Sequence, residues 1–231
     1  MSTSPDPTDV AAVAARLAQV TERIERAGGD PGAISVLAVT KGFGPDAVAA
    51  ARAAGVFDVG ENYAGELESK RVALDAAGSG VAMRWHFLGA LQTNKIAALA
   101  PHVDCWQSVS RAVEGERIAR ARPGATVLIQ VAFSGDERRP GCEPEGVPTL
   151  ARTLNELGLD LRCLMAVAPR QPEAAKAAFA TVRRLADQLS LPVRSIGMTE
   201  DLELAVAGGS TMVRVGRALF GDRPPPGRPA G

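Results

Sequence analysis

Residues Ile34–Gly55 read ISVLAVTKGFGPDAVAAARAAG. The stretch opens with a near-continuous apolar, β-branched run that stops at Thr40-Lys41. A glycine and proline turn follows, then an alanine-rich segment of helical period that ends at Gly55. Strand, loop and helix in that order make one βα unit. Seven further apolar runs of strand length recur, beginning at Phe57 (FDVG), Trp85 (WHFLGAL), Val103 (VDCWQSV), Thr126 (TVLIQVA), Leu161 (LRCLMAVA), Pro192 (PVRSIGM) and Met212 (MVRVG). Between them lie segments with helical period and glycine or proline stops: NKIAALAP, RAVEGERIARAR, GVPTLARTLNELG, PEAAKAAFATVRRLADQL and EDLELAVAGG.

Apolar strands joined by helical crossovers form a parallel sheet buried on both faces. Eight such units within 231 residues predict a single-domain α/β fold, a closed (β/α)8 TIM barrel. Its domain spans residues 10–223, with an extra amphipathic helix over Val10–Ala27. An open doubly wound sheet satisfies the same pattern. Residues 1–9 read as a flexible N-terminus and residues 224–231, PPPGRPAG, as a disordered tail.

The 26 basic and 26 acidic residues cancel and are scattered, which argues against nucleic acid or an anionic membrane as a partner. The N-terminal MSTSPDPTDV lacks the basic and apolar regions of a signal peptide, and no 18-residue apolar stretch follows. The expectation is a soluble, cytoplasmic protein, a monomer or weak dimer. Cys105, Cys142 and Cys163 are odd in number and show no C-x-x-C spacing, so reduced thiols are expected. With only His86 and His102, a multi-histidine metal site is ruled out and a histidine triad is poorly supported.

In a barrel the chemistry sits where strands end. The chain writes arginine almost everywhere a cation is needed, and its only lysines are Lys41, Lys70, Lys95 and Lys176. A lysine closing a buried strand therefore stands out, because a primary amine whose pKa burial lowers can act as a neutral nucleophile. The second strand ends in GENYAGEL, where Asn62 suits either a ligand or a helix N-cap. His86 lies within the third strand, and a histidine there serves either as a hydrogen-bonded core residue or in a site. In SIGMTEDLELAVAGGSTMVRVGRALFGDR, Ser195 and Thr199 offer hydroxyls after the seventh strand. Gly216 and Arg217 open the turn after the eighth, a common place for a phosphate site in this fold. Thr199 would equally cap the helix that follows.

Arg214, between Val213 and Val215, needs a partner for its charge. A core carboxylate such as Glu61 is one candidate. The other is the ring nitrogen of a cofactor, since pyridoxal phosphate sites pair a Schiff-base lysine with an Asp or Arg at the pyridine nitrogen.

AVTK, GENYAGE, WHFLGALQTNK, GLDLRCLMAVAP, SIGMTEDLELAVAGGSTMVRVG and RALFGDR, in that order from about Ile34 to Arg223, closely resemble the pyridoxal phosphate homeostasis family, single-domain relatives of the alanine racemase barrel. The resemblance implies pyridoxal 5′-phosphate as cofactor, held as an aldimine on Lys41, with Arg214 at the pyridine nitrogen. Ser195, Thr199, Gly216 and Arg217 would hold the phosphate, while Asn62, His86 and Met165 would line the pocket. Two positions depart from the family pattern: Ser110 in SVSR, where Asp is usual, and Ala132 after QV, where Asn is usual. The Phe133–Gly146 loop lacks the usual Glu-x-x-Lys. The implied function is intracellular homeostasis of the cofactor, as a carrier that delivers it to apo-enzymes, rather than catalysis. A pyridoxal-phosphate-dependent amino-acid racemase is the alternative. Against it, the relatives' second base is a tyrosine from another domain, and the one tyrosine here is Tyr63. A cofactor-free Schiff-base aldolase would share the lysine but leave Arg214 unexplained.

Overall fold

A computed structural model describes residues 8–76, 83–133 and 140–223. Eight parallel strands close a barrel in chain order, each hydrogen-bonded to the next and the eighth to the first. They are β1 (Ser35–Val39), β2 (Asp58–Glu61), β3 (Arg84–Phe87), β4 (Cys105–Val109), β5 (Thr126–Val131), β6 (Asp160–Ala166), β7 (Val193–Ser195) and β8 (Met212–Val215). Closure settles the choice left open by the pattern, because an open sheet would leave β1 and β8 as unpaired edges. The regions expected to be a flexible N-terminus and a disordered tail lie almost wholly outside the described residues, as does the centre of the Phe133–Gly146 loop.

The helices ring the strands: α1 (Val10–Arg26), α2 (Pro45–Ala53), α3 (Ala64–Ala76), α4 (Ile96–Leu99), α5 (Ala112–Ala121), α6 (Val147–Glu156), α7 (Pro172–Gln188), α8 (Leu202–Ala207) and α9 (Arg217–Phe220). The Asp9 side chain accepts the Ala11 N–H and starts α1, which turns Val13, Val20 and Ile24 inward. This extra helix does more than cover apolar surface. Arg16 donates to the carbonyl of Leu219 in α9, and Arg23 donates to the carbonyl of Thr199 in the β7–α8 loop while pairing with Glu203. It thereby ties down both loops at the carboxyl ends of β7 and β8.

β7 stops at Ser195 rather than running to Met198, because Gly197 takes φ +94° and passes so close to α8 that a Cβ would lie 2.4 Å from that of Ala205. Apolar side chains fill the space between strands and helices, Trp106, Ile118 and Phe179 among the largest fully buried. A separate cluster packs α1, α2, α8 and α9 around Ala38, Val213 and Val215.

Candidate functional site

A cavity of about 540 Å³ opens at the carboxyl ends of the strands, lined by residues that include Lys41, Asn62, Met165, Thr199, Arg214 and Gly216. Its size suits a small-molecule ligand. The Lys41 side chain is half-buried there. Burial first, and then the Arg223 guanidinium beside it, hold its pKa below the usual lysine value, with Glu61 pulling the other way. Phe43, two residues on, packs against Phe220 of α9 in a tilted pair with ring centroids 5.2 Å apart, joining the first loop to the last.

Arg214 is 5% exposed. Its Nη1 donates to the carbonyl and, at 2.9 Å, to the hydroxyl of Ser195, and its Nη2 donates to the Ala166 carbonyl at 2.7 Å. Burial drags its pKa down to about 10, which still leaves a full charge at neutral pH. Among the described residues no carboxylate pairs with it. Glu61, the core carboxylate weighed as its partner, points to the outside of the barrel. There its Oε1 lies 2.6 Å from Lys70 Nζ and 2.5 Å from the Thr40 hydroxyl. Arg214 and Glu61 stand on opposite faces of the sheet, so the period of 2 along a strand forbids that pairing.

Gly216 and Arg217 sit where the eighth loop begins. Gly216 is required by close approach: a Cβ there would lie 3.0 Å from the Val39 carbonyl oxygen. Arg217 starts α9 and pairs with Glu200. Thr199 lines the cavity and does not cap α8, whose N-cap is Asp201. Asn62 also lines it, while Tyr63 is 60% exposed and faces a neighbouring hollow beside Lys95.

Two expected pocket residues stand elsewhere. Ser195 is fully buried and does not line the cavity, its hydroxyl being committed to Arg214 and Gln107 inside the barrel. His86, 3% exposed, lies beyond Gln107 and bonds Asp58. Both side chains point inward below the mouth. Conversely, the sequence reading passed over Arg223, which lines the mouth beside Lys41, and Gln107, buried in β4. The RALFGDR motif contains the first; a glutamine inside an apolar strand is the signal for the second. The departures at Ser110 and Ala132 leave the cavity wall untouched: Ser110 bonds Glu114 of α5, and neither residue lines it.

The thiols offer no alternative nucleophile. Burial pushes Cys105 up to about 12 and Cys163 well above its usual range, and all three cysteines are free. Among the described residues no cluster of His, Cys, Asp or Glu has the makings of a metal site, and no helix is long and apolar enough to cross a membrane.

The family model for the alanine racemase N-terminal domain matches residues 8–224. The chain is 40% identical over 224 residues to the pyridoxal phosphate homeostasis protein of Pseudomonas aeruginosa, across 93% of this chain and 94% of that one. It superposes on PipY of Synechococcus elongatus, solved with PLP bound, at a TM-score of 0.78 and 30% identity, covering 90% of this chain and 100% of that one. Alanine racemase of Corynebacterium glutamicum, at 15% identity and a TM-score of 0.72 over 96% of this chain and 64% of that one, shares the fold. The closed barrel, its mouth and these matches agree, and the chain belongs to the pyridoxal phosphate homeostasis protein family.

Proposed function

We propose that this chain binds pyridoxal 5′-phosphate in the cavity, anchors it covalently through Lys41, and holds it for delivery to apo-enzymes in the cytoplasm rather than for amino-acid turnover. The observation that carries the reading is Arg214, a buried cation without a carboxylate partner among the described residues, on the wall of a cavity that also receives the Lys41 amine. A buried charge of this kind is stabilised by an acceptor brought by a ligand. When bound, pyridoxal 5′-phosphate supplies an aldehyde that condenses with a primary amine and loses water.

This chain supplies groups that would hold such a ligand. Lys41 presents an amine whose neutral form is favoured by burial and by Arg223. Arg214 offers only hydrogens, so it would hold a ring nitrogen in its unprotonated form. Thr199 and the backbone N–H groups at Gly216 and Arg217 would cradle the phosphate, with Asn62 and Met165 against the ring. Ser195 and His86 take no direct part in this arrangement. Tyr63, the base a racemase would call on opposite Lys41, is largely exposed and belongs to the neighbouring hollow. The role for which the Pseudomonas aeruginosa relative is named, pyridoxal phosphate homeostasis, and PipY with PLP bound support the carrier reading.

Purified protein mixed with the cofactor should turn yellow. Borohydride followed by peptide mapping should place the pyridoxyl group on Lys41, and the loaded protein should activate an apo-enzyme. A label on Lys95, or amino-acid racemisation of order 1 per second or faster that Tyr63→Phe abolishes, would overturn the proposal.

A further inference from the structure

Five strands contribute one unbroken hydrogen-bonded chain through the barrel interior. Arg214 Nη1 donates to Ser195 Oγ at 2.9 Å, and Ser195 Oγ to Gln107 Oε1 at 2.8 Å. Gln107 Nε2 lies 2.7 Å from His86 Nδ1, and His86 Nε2 lies 2.8 Å from Asp58 Oδ1. Arg84 closes the far end, its Nε 2.7 Å from Asp58 Oδ1 and its Nη2 2.8 Å from Oδ2. Strands as far apart as β4 and β7 can meet only across the interior, and the five residues from Arg214 to Asp58 are all at least nine-tenths buried.

The two ends fix the direction of every link. Arg214 has hydrogens and no lone pair, so Ser195 must accept from it and turn its single hydroxyl hydrogen toward Gln107. Asp58, with its pKa held down by His86 and Arg84 against the cost of burial, is a carboxylate with lone pairs only. It therefore takes the Nε2–H of His86 and leaves Nδ1 as an acceptor. The demands meet at residue 107, which has to accept on one side and donate on the other. A carboxamide does both. Its spare Nε2–H finds Met212 Sδ at 3.4 Å.

We propose that Gln107 is a positioning residue for the cofactor site: by holding the Ser195 hydroxyl hydrogen away from Arg214, it fixes the guanidinium that meets the ring nitrogen. The proposal rests on the reading of Arg214 given above. Without the amide, the Ser195 hydroxyl loses its acceptor and its rotor is no longer fixed with a lone pair toward Arg214, which weakens one of the three acceptor contacts that hold the guanidinium.

The test joins equilibrium binding of pyridoxal phosphate, its visible spectrum and nitrogen NMR of His86. In the wild type the His86 hydrogen should sit on Nε2, with Nδ1 as the acceptor. Gln107→Leu, folded by circular dichroism and still labelled on Lys41, should bind the cofactor about tenfold more weakly, the value of one hydrogen bond to a charged group, with a displaced absorption band. Ser195→Ala should do the same, and the double variant should be no weaker than either single one, because both cut a single path. Gln107→Glu, equal in shape, should place a second proton on His86, which packing alone would not do. Should Gln107→Leu fail to fold, Gln107→Glu carries the test. A Gln107→Leu affinity within twofold of wild type, additive losses in the double variant, or a wild-type hydrogen on His86 Nδ1 would each overturn the proposal. If the wild type took up no cofactor, the proposed function would fall, while the expected His86 proton in wild type and Gln107→Glu would still support the chain.

Discussion

Lys41 and Lys70 approach the same peptide at the end of β1 from opposite faces of the sheet. Lys70, 4% exposed, donates to the Thr40 carbonyl at 2.8 Å and is clamped by Glu61 at 2.6 Å and Glu66 at 3.0 Å. Lys41, the next residue, turns into the barrel mouth, where burial first, then Arg223 and Arg214, disfavour its proton and outweigh the pull of Glu61 and Glu66. Lys70, held between two carboxylates, fills a structural post. Lys41, with burial and Arg223 set against its proton, is poised to be an amine. The same residue type is given two chemistries by which neighbours the strand's alternation supplies.

The largest effect should come from breaking the clamped side. Lys70→Ala leaves Glu61 fully buried without its ammonium, and Glu61 already has one oxygen with no hydrogen-bond partner. Removal of one member of a buried pair costs about 3–5 kcal/mol, so denaturant unfolding should show a loss of that order. Lys70→Met combined with Glu61→Gln should recover most of it, since no lone charge then remains buried. Borohydride labelling of the folded Lys70 variants should still fall on Lys41. A Lys70→Ala protein as stable as wild type would mean that the clamp is not what separates the two lysines.

Arg214→Leu comes next and acts on the poised side. It should weaken cofactor binding by roughly ten- to hundredfold, the equivalent of about 1.5–3 kcal/mol for a hydrogen bond involving a charge, and alter the visible spectrum. Equilibrium titration followed by absorbance decides it. Unchanged affinity in a folded variant would take Arg214 out of the site.

The same contrast explains how far the sequence could be read. The eight strands were legible because buried parallel strands are near-continuous apolar runs, and α1 because its apolar stripe is regular. Helix α3 carried no such stripe: the residues it buries are Leu67 and Lys70, and a buried lysine reads as surface until its two carboxylates are seen. Four-residue α9 is too short to show a period. At the site, Lys41 and Arg214 were legible as charges placed at or within apolar strands. The placements of Ser195, Glu61 and His86 were not, because which side of the sheet a residue faces, and how deep it lies, depend on register and closure. Gln107 is flagged in the sequence only as a polar residue in an apolar strand, and acquires its role between an acceptor-only and a donor-only end.

The smallest expected effect concerns the proton on Lys41. Its pKa is lowered by burial, then by Arg223, with Glu61 opposing and Arg214 adding to the depression. In the window between that folded value and the free-lysine value of about 10.4, the unfolded chain binds more protons at this residue than the folded one. The contribution of Lys41 to stability therefore rises with pH across the window. The neutral amine is the form that captures an aldehyde, so the rate of cofactor capture should climb with pH and level off sooner than for a free lysine side chain under the same conditions. Arg223→Ala removes a neighbouring cation that disfavours the ammonium, which raises the Lys41 pKa and should move the rate profile toward higher pH. The measurement is the rate of colour development from pH 6 to 10 in both proteins. Superimposable profiles would remove Arg223 from the account of Lys41, and a shift toward lower pH would mean that Arg223 favours the ammonium, reversing the sign on which the contrast with Lys70 depends.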